Sequence, residues 1–186
     1  MNASVTGPPA SAAGGLIERG ATALEAAGGV ALQFVTFRIA EEEYGVDIMD
    51  VREIKAWAGA TRLPNSAEYM RGVINLRGVI VPVYDLRARF GLGLTDATAT
   101  HVVIIIAVGQ KIVGVLVDAV SDILDVQEGG VQAVPRMDTT IDAAFLSGLV
   151  NVEERMVALL DTHKLFAEGE IPDQETLSAI ETDAAD

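Results

Sequence analysis

The sequence predicts an all-β fold of two small barrels with short helical connections. The first observation behind this is that its apolar stretches are short, rich in Val and Ile, and parted by Gly, Pro, Asn and charged residues, which is the pattern of strands and turns. The second is an internal repeat. Shifting the chain by 69 residues lays Tyr44-Gly45-Val46-Asp47-Ile48 on Val113-Gly114-Val115-Leu116-Val117 and carries Val51, Glu53 and Ile54 onto Val120, Asp122 and Ile123. A shift of 76 lays Gly72-Val73-Ile74-Asn75 on Gly148-Leu149-Val150-Asn151, Asp85 on Asp161 and Phe90 on Phe166. The difference between the shifts places a seven-residue insertion in the second copy, between Leu124 and Phe145. Two copies of this size give two barrels of about five strands each, a closed arrangement that protects strand edges. A copy of some 65 to 70 residues has a marginal core, so the barrels are expected to pack on each other, intertwined at their seam.

Strands are predicted at Gln33–Ile39, Glu43–Ile48, Gly72–Leu76, Val79–Tyr84, Val102–Val108, Lys111–Val117, Leu149–Val152 and Met156–Asp161. Helical turns are expected near Met49–Ile54, Ser66–Met70 and Asp85–Phe90. Residues 1–30, rich in Ala and Gly, read as a flexible N-terminal extension, residues 31–167 as the folded region, and residues 168–186 as an acidic, disordered tail.

Composition narrows the function. Half of the 186 residues are apolar, enough for a core. There is no cysteine, which removes disulfides, thiolate metal sites and thiol nucleophiles, and the two histidines leave little for metal chemistry. A net charge of -14 opposes nucleic acid as a partner, since that affinity rests on Lys and Arg neutralising phosphates. Seven of the acids lie in residues 167–186, which carry no base. The start shows no basic region followed by an unbroken apolar stretch, so no secretory signal is expected. The longest apolar run, Val102–Val108, is far short of the roughly 20 residues a membrane-spanning helix needs, so a cytoplasmic protein without membrane insertion is expected.

Three stretches carry a resemblance: Glu43-Tyr44-Gly45-Val46-Asp47-Ile48 running on to Val51-Arg52-Glu53-Ile54, then Gly72-Val73-Ile74-Asn75-Leu76-Arg77-Gly78, then Val81-Pro82-Val83-Tyr84-Asp85-Leu86. They resemble the CheW domain of bacterial chemotaxis, and the resemblance extends through Val113-Gly114 to Asp122-Ile123. It implies two SH3-like five-stranded barrels on a joint hydrophobic core, no enzymatic activity and no cofactor. The implied partners are a CheA-type histidine kinase, through its regulatory domain, and the cytoplasmic hairpin tip of chemoreceptors, with recruitment to membrane receptor arrays. Adaptors of another taxis-like or surface-motility pathway would carry the same motifs. A small-ligand sensor or enzyme with a cleft between the barrels is the alternative of another class, and neither a metal cluster nor a phosphate-binding glycine loop supports it.

Within this frame Asn75-Leu76-Arg77-Gly78 reads as a tight turn in which Asn75 and Gly78 supply the unusual backbone angles. A solvated turn tip has no need of Arg77, whose fork of donors suits a carboxylate. The resemblance pairs it with Glu53 to shape a protein-interaction surface. Val51 and Ile54, three apart, would share one face of a helical turn; Ile54 is read as core and Val51 as either core or contact. Trp57 is either an interface anchor or buried. Met137, within the inserted stretch Val134-Pro135-Arg136-Met137-Asp138, is either tucked onto its barrel or offered to a partner. Gly45, Gly72, Gly78 and Gly148 are read as structural, at turns or close packing. Asp161-Thr162-His163 is not read as a catalytic relay, because neighbours on a strand point to opposite faces and no Gly-x-Ser-x-Gly elbow is present. Glu153-Glu154 and Glu41 to Glu43 are expected at solvated hairpin tips.

Overall fold

The computed structural model describes residues 31–135, 141–166 and 168–183. Ten strands follow one another: β1 (Leu32–Ile39), β2 (Glu42–Asp47), β3 (Val51–Ala56), β4 (Met70–Leu76), β5 (Val79–Asp85), β6 (Val102–Val108), β7 (Lys111–Val117), β8 (Ala119–Val126), β9 (Leu146–Val152) and β10 (Arg155–Leu160). Helices are few: α1 (Leu86–Arg89), α2 (Thr162–Leu165) and α3 (Gln174–Asp183). The all-β expectation is borne out, and the shift of 76 read from the sequence lays β4 on β9 and α1 on α2 residue for residue and β5 on β10 to within one residue.

The barrels, however, are not the copies. One sheet runs β8-β1-β2-β10-β9 and the other β3-β6-β7-β5-β4. Only the hairpins pair within a copy. Every other ladder joins the first copy to the second, including the two parallel ones, β2 with β10 and β5 with β7. We call the sheet holding the first and last strands lobe A and the other, built from residues 51–117, lobe B. At the parallel seams stand Gly45, opposite Leu159, and Gly114, opposite Val83. A Cβ on Gly45 would lie 2.9 Å from Leu159 Cδ2, and one on Gly114 2.9 Å from Val103 Cγ1. Gly45 is thus a mid-strand packing residue and not a turn.

Each sheet curls shut where the segment after its first edge strand reaches the other edge. Thr61 and Val73 exchange backbone hydrogen bonds of 2.9 and 2.8 Å; Gln132 and Leu149, their counterparts, exchange bonds of 2.8 and 2.9 Å. At these closures Gly72 and Gly148 occupy equivalent places within strands. A Cβ on Gly72, which has φ +130°, would fall 2.1 Å from Thr61 O; on Gly148 it would fall 2.3 Å from Val131 Cγ1. Gly148 too is a close-approach residue rather than a turn.

The closed sheets account for the continuous apolar runs. Val103 and Ile105 of β6 face the interior of lobe B with Val81, Val83 and Leu116. Ile104, Ile106 and Val108 face a central core shared with Phe37, Tyr44 and Val46 of lobe A. Lobe A has its own small core of Phe34, Val126, Val150, Val157 and Leu159. Strands buried on both faces lose the alternation of a half-exposed sheet.

Two helical expectations fail. Residues 51–56 form β3, and its counterpart β8 also follows a Val-x-x-Ile spacing; each carries a bulge, between Val51 and Glu53 on β3 and opposite Val35 and Phe37 on β8. One extra residue in a strand turns a spacing of two into three, which imitates a helix. Residues 66–69 form irregular chain and a single turn leading into β4, with Met70 N donating to Ala67 O at 2.9 Å. The turn after β5 holds as expected. Buried Asp85 caps α1 by accepting from Ala88 N at 3.2 Å, and also takes Thr95 N and Oγ1 at 2.8 Å and Arg71 at 3.4 Å.

The acidic tail is a further correction: through Asp183 it is not a disordered appendage. Ile171 and Leu177 are buried in the central core. Lys111 Nζ donates to Ile171 O at 2.6 Å and lies 2.8 Å from Asp173 Oδ1. Gln174 Nε2 donates to Ile80 O at 2.8 Å. Two apolar positions suffice because the surrounding acids stay on the solvent side. The extension at residues 1–30 lies outside the described residues.

Two predictions follow from these contacts. Leu177→Ala empties a fully buried site, so it should cost about 3 kcal/mol and lower Tm by about 10 °C; an unchanged melting curve in calorimetry would show that α3 does not pack. Gly72→Ala should cost about 3 kcal/mol in urea unfolding, and Gly148→Ala less, since Gly72 meets backbone and Gly148 a side-chain end. Equal midpoints for parent and Gly72→Ala would refute the closure.

Candidate protein-interaction surface

β4 and β5 join through a two-residue loop, Leu76 facing Val79 across the ladder. Arg77 and Gly78 both take positive φ, 52° and 86°, the requirement of the turn whose twist matches a hairpin. The unusual angles therefore fall on Arg77 and Gly78, while Asn75 remains in β4 and closes the turn through its side chain, accepting from Gly78 N at 2.8 Å. An Arg in the left-handed region costs about 1–2 kcal/mol that Asn or Gly would largely avoid.

That strain aims the guanidinium at β3. Arg77 NH1 lies 2.9 Å from Glu53 Oε2, with the Arg77 side chain 77% and the Glu53 side chain 27% exposed. So open a pair adds at most about 1 kcal/mol to folding. The structure thus brings Glu53 and Arg77 together without giving folding much in return. In the second copy the equivalent places hold Asp122 and Glu153, two acids. Glu153 takes the same turn angle, φ 54°, but offers no cation. The backbone plan is duplicated and the ion pair is not.

The bulge in β3 sorts the neighbouring side chains. Val51 faces Ile106 and packs on the central core, half-buried. Ile54 is 45% exposed, which corrects its assignment to the core; it shares the face of Val51 and of its ladder partner Ile104, but β3 is the edge strand of its sheet and that position is left uncovered. Val79, just past the turn, is also exposed. Trp57 is half-buried against the lobe B core, its ring 5.9 Å from the Arg71 guanidinium. Together with Lys55, Ile74 and Asn75 it lines a cleft of about 560 Å³. Met137 lies outside the described residues.

The catalytic alternative finds no support in the geometry. Asp161 caps α2, accepting from Lys164 N at 3.1 Å, and Thr162 donates its hydroxyl to Asp50 at 2.9 Å, while His163 is exposed. Desolvation raises the Asp161 carboxyl, but hydrogen bonds from Lys164 and its nearby charge, with a further bond from His163 N, outweigh it and hold the group below its usual range. That is a capping carboxylate, not a base tuned towards neutrality. No cluster of potential metal ligands occurs among the described residues, and none of their helices is long and apolar enough to cross a membrane.

Fold and surface together define a duplicated-barrel protein that carries an exposed ion pair at one hairpin tip, without its equivalent at the other. Residues 33–170 match the model of the CheW-like domain. The chain is 45% identical over 138 residues to a probable chemotaxis protein CheW of Rhizobium etli, covering 74% of this chain and 89% of that one. It is 39% identical over 142 residues to chemotaxis protein CheW of Klebsiella aerogenes, covering 76% and 86%. The crystal structure of the scaffolding protein TtCheW from Thermoanaerobacter tengcongensis superposes with a TM-score of 0.69 at 36% identity, over 75% of this chain and 90% of that one. The chain belongs to the CheW family of chemotaxis scaffold proteins.

If Arg77 is kept for contact rather than for folding, Arg77→Asn should not destabilise the protein. It creates Asn-Gly, the favoured dipeptide for this turn, and should leave the urea midpoint equal or raise stability by up to about 1 kcal/mol. A loss above about 1 kcal/mol would make Arg77 a structural residue.

Proposed function

We propose that the protein is a non-catalytic coupling scaffold that holds a CheA-type histidine kinase and the cytoplasmic hairpin tip of chemoreceptors together, in the cytoplasm at membrane receptor arrays. The observation that carries this reading is the Glu53–Arg77 pair: an exposed ion pair, held by a strained turn residue, present in one copy of the repeat and replaced by two acids in the other. A feature that costs folding energy and returns little is explained by a partner that reads it. Exposed Ile54 and Val79 beside it supply apolar area for the same contact. Val51 supports the strand from beneath, Trp57 anchors the adjoining cleft, and Met137 of the inserted stretch is a further candidate contact residue.

A scaffold of this kind relays receptor state through geometry, so it needs a stiff body rather than a reactive group. The central core supplies that stiffness, since it packs side chains of both lobes against each other.

Arg77→His should retain the parent circular dichroism and melting temperature yet lower kinase activation in receptor-containing membranes at least fivefold. Parent-like activation by the folded variant would sink the assignment of the pair. For the loop, Met137→Asp should leave urea unfolding within about 1 kcal/mol of the parent and weaken kinase binding. Strong destabilisation with unchanged binding of the folded fraction would place Met137 on its own barrel.

A further inference from the structure

On lobe A a cavity of about 480 Å³ opens over β2, β9 and β10, floored by Leu146, Leu149, Met156 and Ala158 between a rim of Glu41, Glu42 and Glu43 and a wall of Val134, Pro135 and the buried Ile141 from the inserted stretch. The repeat gives each floor residue a twin on lobe B: Met70, Val73, Ile80 and Pro82. There the place is taken by the chain's own C-terminal segment. α3 packs on β5, Gln174 donates to Ile80 O, and Ile171 and Leu177 join one cluster with Met70, Val73 and Ile80. The contrast falls on one twin pair: Ile80 is 4% exposed, whereas Met156 is 60% exposed. The fold has built the same platform twice, and one of the two carries a helix.

We infer that the lobe A platform is a docking groove for an amphipathic helix of a partner protein, apolar on one face and basic at its N-terminal flank. The apolar face follows from the floor, whose twin receives Ile171 and Leu177, and from Met156, an adaptable side chain suited to helix recognition. The basic flank follows from charge. On lobe B the start of the docked segment is held by Lys111, which binds Ile171 O and pairs with Asp173. The twin of Lys111 is Glu42. Arg155 pairs with Glu43 at 2.7 Å and the Tyr44 hydroxyl donates to Glu42, whose charge, with that of Glu41, makes the rim acidic. A position that grips an acidic segment on one lobe thus grips a Lys or Arg on the other. The same signs exclude a second copy's α3, whose flank carries Asp173 and Glu175. Residues 1–30, with two acids and one Arg, bring no excess of basic side chains. The groove lies on the lobe opposite the Glu53–Arg77 pair and does not depend on the role proposed for it.

The probe is a fluorescein-labelled peptide of residues 170–183 carrying Asp173→Lys and Glu175→Lys, titrated with the full chain and followed by anisotropy. Saturable binding is expected, weakened at least tenfold by Met156→Asp and at least threefold by Glu41→Lys. Both substitutions are at the exposed surface, so circular dichroism and the urea midpoint should stay those of the parent. The unmodified acidic peptide should bind at least tenfold more weakly than the reversed one. No saturable binding of the reversed peptide overturns the inference. So does equal binding to the parent and Met156→Asp, which would mean that the peptide displaces α3 on lobe B. Tighter binding of the acidic peptide would name a second copy as the occupant, and binding seen only after removal of residues 1–30 would name the chain's own N-terminal segment.

Discussion

Strand pairing between the two copies is the constraint on which the rest of the structure depends. A hairpin such as β1–β2 satisfies one edge of each strand and leaves the others bare. In this chain those edges are met by the opposite copy, at β1 with β8, β2 with β10, β3 with β6 and β5 with β7. The parallel seams are tight, and Gly45 and Gly114 stand there because side chains from the neighbouring strands already fill the space a Cβ would need. Once the seams are set, the sheets curl and close at Thr61 and Gln132. The faces turned towards each other then enclose the central core, to which α1 and α2 contribute Leu86 and Leu165. That shared core makes the two small barrels one body, each too small to be comfortable alone.

Much of this was legible in the residues. The hairpins announce themselves through Asn75-Leu76-Arg77-Gly78 and its counterpart, and the two shifts matched every helix and strand between Met70 and Phe90 with its twin. The exchange of strands was not legible, for a symmetry reason. When two copies are alike, a strand finds the same partner sequence within its own copy or in the other, and local pattern does not distinguish the two. β3 and β8 were hidden by their bulges. The tail was hidden by composition, since an average over many acids conceals two apolar positions that meet a ready-made floor. At the surface, Glu53 and Arg77 could be paired from sequence and do meet, whereas Ile54 was misread because it shares the core-side face of Val51 but lies on an edge strand, and spacing does not tell a covered position from an uncovered one.

The two copies share a backbone plan and diverge in side chains, and the divergence is informative where it is most abrupt. Arg77 is answered by Glu153, Glu53 by Asp122, Lys111 by Glu42 and Ile80 by Met156. Two of these four changes reverse a charge, one keeps an acid, and the fourth exchanges a covered side chain for an open one. Duplication gives two equivalent frames at no architectural cost, and each is then free to present a different chemistry. A scaffold with two dissimilar partners needs this: one rigid unit, two faces, no confusion between them.

The order of strands along the chain has a consequence for synthesis. Lobe B is made of residues 51–117 in an unbroken run and holds all its strands once β7 has emerged from the ribosome. Lobe A is divided between the two ends: β1 and β2 are made first, and their partners β8, β9 and β10 last. At about 5–20 residues per second the first hairpin therefore waits on the order of ten seconds with Phe34, Phe37 and Tyr44 uncovered and both edges open. During that interval a second nascent chain nearby could offer the same edges. The acids Glu41, Glu42 and Glu43 at the tip of this hairpin place like charges between such neighbours, which favours closure by the chain's own later strands over pairing between chains.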